Sequence, residues 1–325
     1  MKDILVLVAK NVISLKLYFL YGFFFASFFT PIGIWAGKKF NIIDIPKNKE
    51  GRNKVHTVPV PRTGGIAIYS SFMLLFLLIH KFTPQFIGLF IGATVIFLGM
   101  SLDDKYNLSV AKKFTIQFAA AFIIIITGTK FTFITNPFNG NLVNLGWIGI
   151  IFSAIWIVGI TNALNIIDGL DGLASGIAAI CSITLSVVAI YKGNIPLALL
   201  LLGISGTLVA FLIYNFHPAR IFLGDAGAEL LGFLLASISI MGAYKTATLF
   251  TMAVPLLTLG IPITEVITSI FRRTRKEISP FHYDLGHIHY RLLEKGWSQR
   301  RIAILYYLVT TTLSATGLYL AFGVR

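Results

Sequence analysis

Residues 147–190 read "WIGIIFSAIWIVGITNALNIIDGLDGLASGIAAICSITLSVVAI". Two apolar runs flank a short polar passage, each near the length of about 20 residues that carries an α-helix across a bilayer core. Within the passage, Asn162, Asn165, Asp168 and Asp171 fall at strict intervals of three. Three residues turn an α-helix by about 300°, so each polar group is displaced by about 60° and Asn162 and Asp171 would end on opposite faces. Gly169 and Gly172 argue that the helix does not survive that far. A helix that ends near Asp168, or tightens toward three residues per turn, lets the groups converge. A simple polar hairpin between spans needs neither the fixed spacing nor Asn165.

The rest of the chain has the same character. With 56% hydrophobic residues, 12% charged and a mean hydropathy of +0.82, its 325 residues do not suit a soluble domain, whose surface needs far more charge. Apolar runs predict ten membrane spans, roughly at 17–37, 64–80, 85–102, 111–129, 145–164, 172–191, 195–214, 226–244, 246–271 and 302–322. The connections are mostly short, so residues 1–325 read as one all-α, polytopic membrane bundle without a separate soluble domain. The N-terminal "MKDILVLVAKNVISLK" has too short an apolar run for a cleavable signal and suggests an interfacial amphipathic turn leading into the first span. Cys181, the only cysteine, lies mid-span and excludes disulfides and cysteine metal sites.

Ten spans alternate the connections between two sides. One side carries the loops 38–63, 103–113, 162–171, 215–225 and 272–301, with 19 of the 27 Lys and Arg residues, and is expected to face the cytoplasm. The net charge of +14 then points to anionic lipids or anionic substrates, not nucleic acid. Eleven of the 13 Asp and Glu residues lie in or at the edge of the same loops, the exceptions being Asp3 and Glu265. Carboxylates contribute little to orientation, so a single cytoplasmic site that needs them explains the clustering better.

Four constellations could build that site. Asp103 and Asp104 close the third span, where their mutual repulsion calls for a cation or metal; Lys105, Lys112 and Lys113 follow. A solvated helix end explains this pair equally well. The passage 162–171 is the second. In "FLGDAG", Asp225 lies between two glycines at the mouth of the eighth span, where a helix N-terminus favours anions; an N-cap is its plainer role. Phe222 could stack a base or sit at the interface. In the long basic loop, His287 and His289 alternate, so an extended chain would project both to one side. His-x-His can bind zinc, but no further ligand stands at a suitable spacing, and a grip on phosphate or sugar by these histidines with Arg291 is more economical. Arg272 to Lys276 read as an orientation anchor. Lys54, His56 and Arg62 of the loop before the second span could touch phosphates, or lipid headgroups.

In this order, "DDKYNLS", "NALNIIDGLDGLASG", "FLGDAG" and "GHIHYRLLEKG" closely resemble the polyprenyl-phosphate N-acetylhexosamine-1-phosphate transferases, glycosyltransferases of family 4 type, over about residues 44–301. The resemblance implies a multi-pass enzyme of the inner (cytoplasmic) membrane with its cleft facing the cytoplasm. Such enzymes transfer a sugar 1-phosphate from a UDP-N-acetylhexosamine to undecaprenyl or another polyprenyl phosphate, releasing UMP, with magnesium or manganese. "PVPRTGG" and the His-x-His loop resemble the branch that uses UDP-N-acetylglucosamine to start lipopolysaccharide O-antigen, teichoic acid or related cell-wall glycans. The alternative is a phospho-MurNAc-pentapeptide translocase, which usually shows a run of histidines after a proline that is absent here. A homodimer is compatible with either.

Carried over by position, the resemblance gives Asp103 and Asp104 as the catalytic aspartate pair and Asn165 and Asp225 as metal ligands. It gives Phe222 and Asp171 to the uracil, Asn107 and Lys113 to phosphate, and His287, His289 and Arg291 to the sugar-phosphate. Asp168 and Asn162 would shape the substrate loop. Ala228 replaces a usual serine, Leu285 a common basic residue and Tyr290 a common histidine, which loosens the sugar and phosphate contacts of the last loop.

The residues fit phosphoryl transfer without the resemblance. Magnesium keeps few protein ligands, so one carboxylate, one amide and substrate phosphates suffice to hold it against a pyrophosphate. A phosphate monoester has its second pKa at about 6, so a general base at Asp103 matters only if burial raises that value; otherwise Asp103 positions the nucleophile, with Asp104 in support. A secondary transporter would place ionisable groups at mid-membrane, often in repeated halves. Here only Glu265 is so placed, on a helix that Pro255 and Pro262 are expected to break toward the cytoplasmic cleft.

Overall fold

The computed structural model of the chain describes residues 2–46, 56, 58–135, 141–242, 249–275 and 286–322. Its helices, in chain order, are α1 (Lys2–Lys39), α2 (Gly64–Ile79), α3 (Pro84–Tyr106), α4 (Val110–Ile126), α5 (Gly146–Ile167) and α6 (Leu173–Tyr191). They continue as α7 (Ile195–Asn215), α8 (Gly224–Gly242), α9 (Leu249–Thr258), α10 (Gly260–Arg275), α11 (Ile288–Glu294) and α12 (Gln299–Phe322). Two small antiparallel pairs, β1 (Ile43–Asp44) with β2 (Val60–Pro61) and β3 (Phe133–Thr135) with β4 (Leu142–Asn144), complete the described structure. The fold is that of an all-α, multi-pass membrane protein.

Burial orders the bundle from centre to rim. Apart from Asp225 and Glu229, helix α8 is apolar or small on every face, the pattern of a helix enclosed by others, and 94% of its spanning window is buried, against 22% for α1. It packs between α3 and α5, with α2 and α6 completing its surroundings. Helix α1 lies along α7 at the rim, with Phe24, Phe28 and Trp35 exposed. Backbones meet there because Gly22 faces the Gly203 carbonyl and Gly206 faces the Phe19 carbonyl, contacts that no Cβ would fit.

Three expectations change. Among the described residues seven helices, not ten, are long and apolar enough to cross a membrane: Ala9–Lys39 of α1, and α3, α5, α6, α7, α8 and α12. Helices α2 and α4 reach only 16 and 17 residues, and the ninth expected span is divided into α9 and α10. No separate interfacial turn precedes the first span: α1 is one continuous helix of 38 residues, since no Gly or Pro interrupts residues 2–21.

The break in the ninth span has a clear cause. Pro262 has no amide hydrogen to return to the Thr258 carbonyl, four residues earlier, and the helix turns between them. The Cys181 thiol donates to that carbonyl instead, across 3.3 Å from α6. Pro255, expected to break the helix with Pro262, instead lies inside α9.

Candidate active site

Of the expected site residues, Asp103, Asp104, Lys113 and Asp225 come together at one end of the bundle. Helix α5 ends at Ile167, and the Asp168 amide is shared between the carbonyls of Leu164 and Asn165, both at 3.2 Å, so the last turn tightens as the spacing of three required. Gly172, at φ +75°, reverses the chain into α6. The loop before α2 lies against the loop before α8. Phe222 N–H donates to the Pro61 carbonyl (2.8 Å), and Gly64 and Gly65 N–H donate to the carbonyls of Phe222 and Leu223 (2.9 and 3.0 Å).

This splice brings Arg62 to two carboxylates, Asp104 at 3.5 Å and Asp225 at 3.2 Å. Asp104, at the end of α3, accepts the Asp225 and Ala226 amides at 2.9 and 3.0 Å and so caps the N-terminus of α8. The capping role open to Asp225 therefore belongs to Asp104. The Asp225 side chain is free to meet Arg62 Nη2 at 3.2 Å through one oxygen and Lys113 Nζ through the other. Lys113 also pairs with Asp103 Oδ2 at 2.5 Å, while Asp103 Oδ1 accepts the Leu108 amide at 2.6 Å. Gly224, at φ +69°, permits the close approach: a Cβ would strike the Arg62 carbonyl and come within 2.7 Å of Asp104. Asp168 lies within reach of the same charges. Burial, and then the Asp225 carboxylate, push its carboxyl well above the ordinary range, against the pull of Arg62.

Asn165 and Asn162 face a second cluster one helical turn further in, built on Gln117 and Glu229. Asn165 Nδ2 donates to Glu229 Oε1 (3.0 Å), Gln117 Nε2 to Glu229 Oε2 (2.8 Å), and Asn162 Nδ2 to Gln117 Oε1 (2.7 Å). Glu229 and Gln117 carried no functional reading in the sequence. Their offset of four residues from Asp225 and Lys113 was the available signal, since it puts them on the same helix faces.

Asp171 is buried and committed to the loop after α7, accepting the Ala219 amide at 3.1 Å and meeting His217 Nδ1 at 2.8 Å. Arg300 holds the His217 carbonyl from α12. Phe222 remains half-buried, edge-on to His56 at 5.2 Å. Asn107 is exposed in the left-handed turn that ends α3.

His287 and His289 do project to one side, but not from an extended chain: His287 caps α11 and His289 lies in its first turn. Their rings are parallel, 5.5 Å apart, and converge on the buried Glu265, at 3.3 and 3.5 Å. Tyr306 from α12 donates to the other side of Glu265 at 3.0 Å. His289 Nε2 faces Gly169, where a Cβ would come within 2.6 Å of it. Arg291 is exposed on α11 and is not drawn into this cluster. Lys54, Lys276 and Leu285 lie outside the described residues.

Among the described residues no group of three or more His, Cys, Asp or Glu side chains is arranged as a metal cage. The donor set nonetheless suits a hard divalent ion: Asp225 and Asp103 offer oxygens now neutralised by Lys113 and Arg62, and the Asn165 carboxamide lies one turn below.

A multi-pass membrane protein with a compact acid–base cluster at one bundle end belongs to a recognisable class of enzymes. Residues 86–243 match the model of glycosyl transferase family 4. The chain is 38% identical to the "Probable undecaprenyl-phosphate N-acetylglucosaminyl 1-phosphate transferase" of Bacillus subtilis (strain 168), over 90% of this chain and 80% of the relative. It is 30% identical to the decaprenyl-phosphate N-acetylglucosaminephosphotransferase of Mycobacterium leprae (85% and 76% covered). It is 25% identical to the undecaprenyl-phosphate alpha-N-acetylglucosaminyl 1-phosphate transferase of Escherichia coli K12 (91% and 81%). The chain belongs to glycosyl transferase family 4, within its polyprenyl-phosphate N-acetylhexosamine-1-phosphate transferases.

Proposed function

We propose that this protein transfers N-acetylglucosamine 1-phosphate from UDP-N-acetylglucosamine to undecaprenyl phosphate, releasing UMP, at the cytoplasmic face of the inner membrane. The observation that carries the reading is the meeting of Asp103, Asp104 and Asp225 with Lys113 and Arg62 at the N-terminus of α8. The relatives' names support the sugar and the lipid.

The acceptor phosphate oxygen forms a bond to the sugar-bearing phosphorus while the bond to the bridging oxygen breaks, and UMP leaves with the electron pair. Asp103 orients the attacking oxygen and accepts its proton where the phosphate binds as a monoanion. Asp104 holds the turn that presents Asp225. Lys113 and Arg62, released from the carboxylates, balance the charge of the pyrophosphate. Asp225 and Asn165 would hold a magnesium or manganese ion, which supplies charge neutralisation at the phosphates. His287 and His289 are buried and turned onto Glu265 beside Gly169, so their contact with the sugar-phosphate requires α11 to shift.

The test is UMP release by purified protein with UDP-N-acetylglucosamine, undecaprenyl phosphate and Mg²⁺. Asp225→Ala is expected to lose at least about 100-fold in kcat, in line with removal of a charge-stabilising group. An Asp225→Ala protein that releases UMP at the parental rate refutes the site. Labelled lipid formed only from UDP-MurNAc-pentapeptide would transfer the chain to the translocase branch.

A further inference from the structure

We infer that Glu229 is a positioning residue that locks the orientation of the Asn165 carboxamide. The inference rests on the metal reading of Asp225 and Asn165 given above.

Glu229 is wholly buried on the central helix, and no Lys or Arg pairs with it among the described residues. Both of its oxygens are instead met by carboxamide nitrogens, from Asn165 and from Gln117. Because both oxygens accept from amide nitrogens, Glu229 sets which end of each amide faces it. The far end of the chain is fixed in the same sense. Asn162 Nδ2 donates to the Val158 carbonyl at 2.8 Å and to Gln117 Oε1, and Gln117 passes its own N–H to Glu229. Gln117 Nε2 also donates to Asn162 Oδ1 at 3.3 Å, so the two amides form a reciprocal pair, and the acceptors at its ends, the Val158 carbonyl and Glu229, fix which atom of each is nitrogen.

Geometry links this row to the reacting end. Glu229 follows Asp225 by four residues on α8, as Gln117 follows Lys113 on α4, so the pairs stack as two rungs between the same helices. With Nδ2 of Asn165 committed to Glu229, its Oδ1 is the atom left to ligate. A freely flipping amide would present a nitrogen, with its two hydrogens, for part of the time. Partners of a metal ligand commonly change affinity by about 10–100-fold when removed.

The experiment measures Mn²⁺ binding by electron paramagnetic resonance to full-length protein in detergent, with UMP present, alongside kcat, KM and melting temperature. Glu229→Gln, which can donate as well as accept, is expected to weaken Mn²⁺ about tenfold while the KM for undecaprenyl phosphate stays unchanged. Asn165→Asp removes the donor and is expected to weaken binding too. The combined swap, Glu229→Gln with Asn165→Asp, restores one donor facing one acceptor and should recover much of the affinity of the parent. Parental Mn²⁺ affinity in Glu229→Gln, or a swap no better than its single variants, overturns the proposal. Asp225→Asn serves as the reference: if it too retains Mn²⁺, the metal reading itself fails, and not the role of Glu229 alone.

Discussion

His289 shows how one side chain can be read by its surroundings. It is fully buried, and neither ring nitrogen has a hydrogen bond among the described residues. Glu265 from α10, Tyr306 from α12, and His287 and Tyr290 from its own segment surround it. Burial pulls its pKa below the ordinary value, with the Glu265 carboxylate opposing. The pocket therefore favours neutral imidazole. The stability this preference contributes is complete above the unfolded value of about 6.5 and is lost as pH falls through the lower folded one. Between about pH 7.5 and about pH 5 the melting temperature of the parent should fall further than that of His289→Gln. Parallel curves would show that His289 does not titrate in that range. The aspartates were legible in the sequence because ionised groups stand out against apolar spans. The partners of Asp171 and Glu265 were not, because His217 and Tyr306 reach them across 46 and 41 residues.

At the scale of elements, the junction of α9 and α10 depends on a proline and a thiol together. Pro262 vacates the Thr258 carbonyl and Cys181 fills it. Cys181→Ala should destabilise the detergent-solubilised protein by about 1–3 kcal/mol, the cost of stranding a buried acceptor. Cys181→Ser, whose hydroxyl can donate, should cost less. Equal melting temperatures for the two variants would deny the thiol this role. The prolines signalled a break from sequence alone. That α6 would supply the compensating donor was not legible, since Cys181 lies 77 residues away. Likewise the tightening of α5 at Asp168 followed from glycine chemistry, whereas the pairing of Gln117 with Glu229 needs the register of α4 against α8, which no local pattern encodes.

For the whole molecule, hydropathy revealed an all-α membrane bundle, and charge asymmetry suggested its orientation. It did not fix the number of crossings, because α2 and α4 are shorter than a full span and the ninth run is split. Orientation can be tested with the only native thiol out of reach, as Cys181 is buried. In intact cells a membrane-impermeant maleimide should label Lys192→Cys, between α6 and α7, but not Lys105→Cys beside the aspartate pair; both positions are exposed. The reverse pattern would put the site on the outer face.

The splice between the segments before α2 and α8 also sets a timetable. Arg62 and Asp225 are separated by 163 residues. At a synthesis rate of about 5–20 residues per second, the first half waits about 8–30 s for the second to leave the ribosome. Throughout that interval Gly64 and Gly65 have no backbone partner from residues 222–223, and the carboxylates at the end of α3 have no helix to cap. The acid–base cluster cannot form before α8 is made, and with it Arg62, Lys113 and Asp104 gain their partner at residue 225 together.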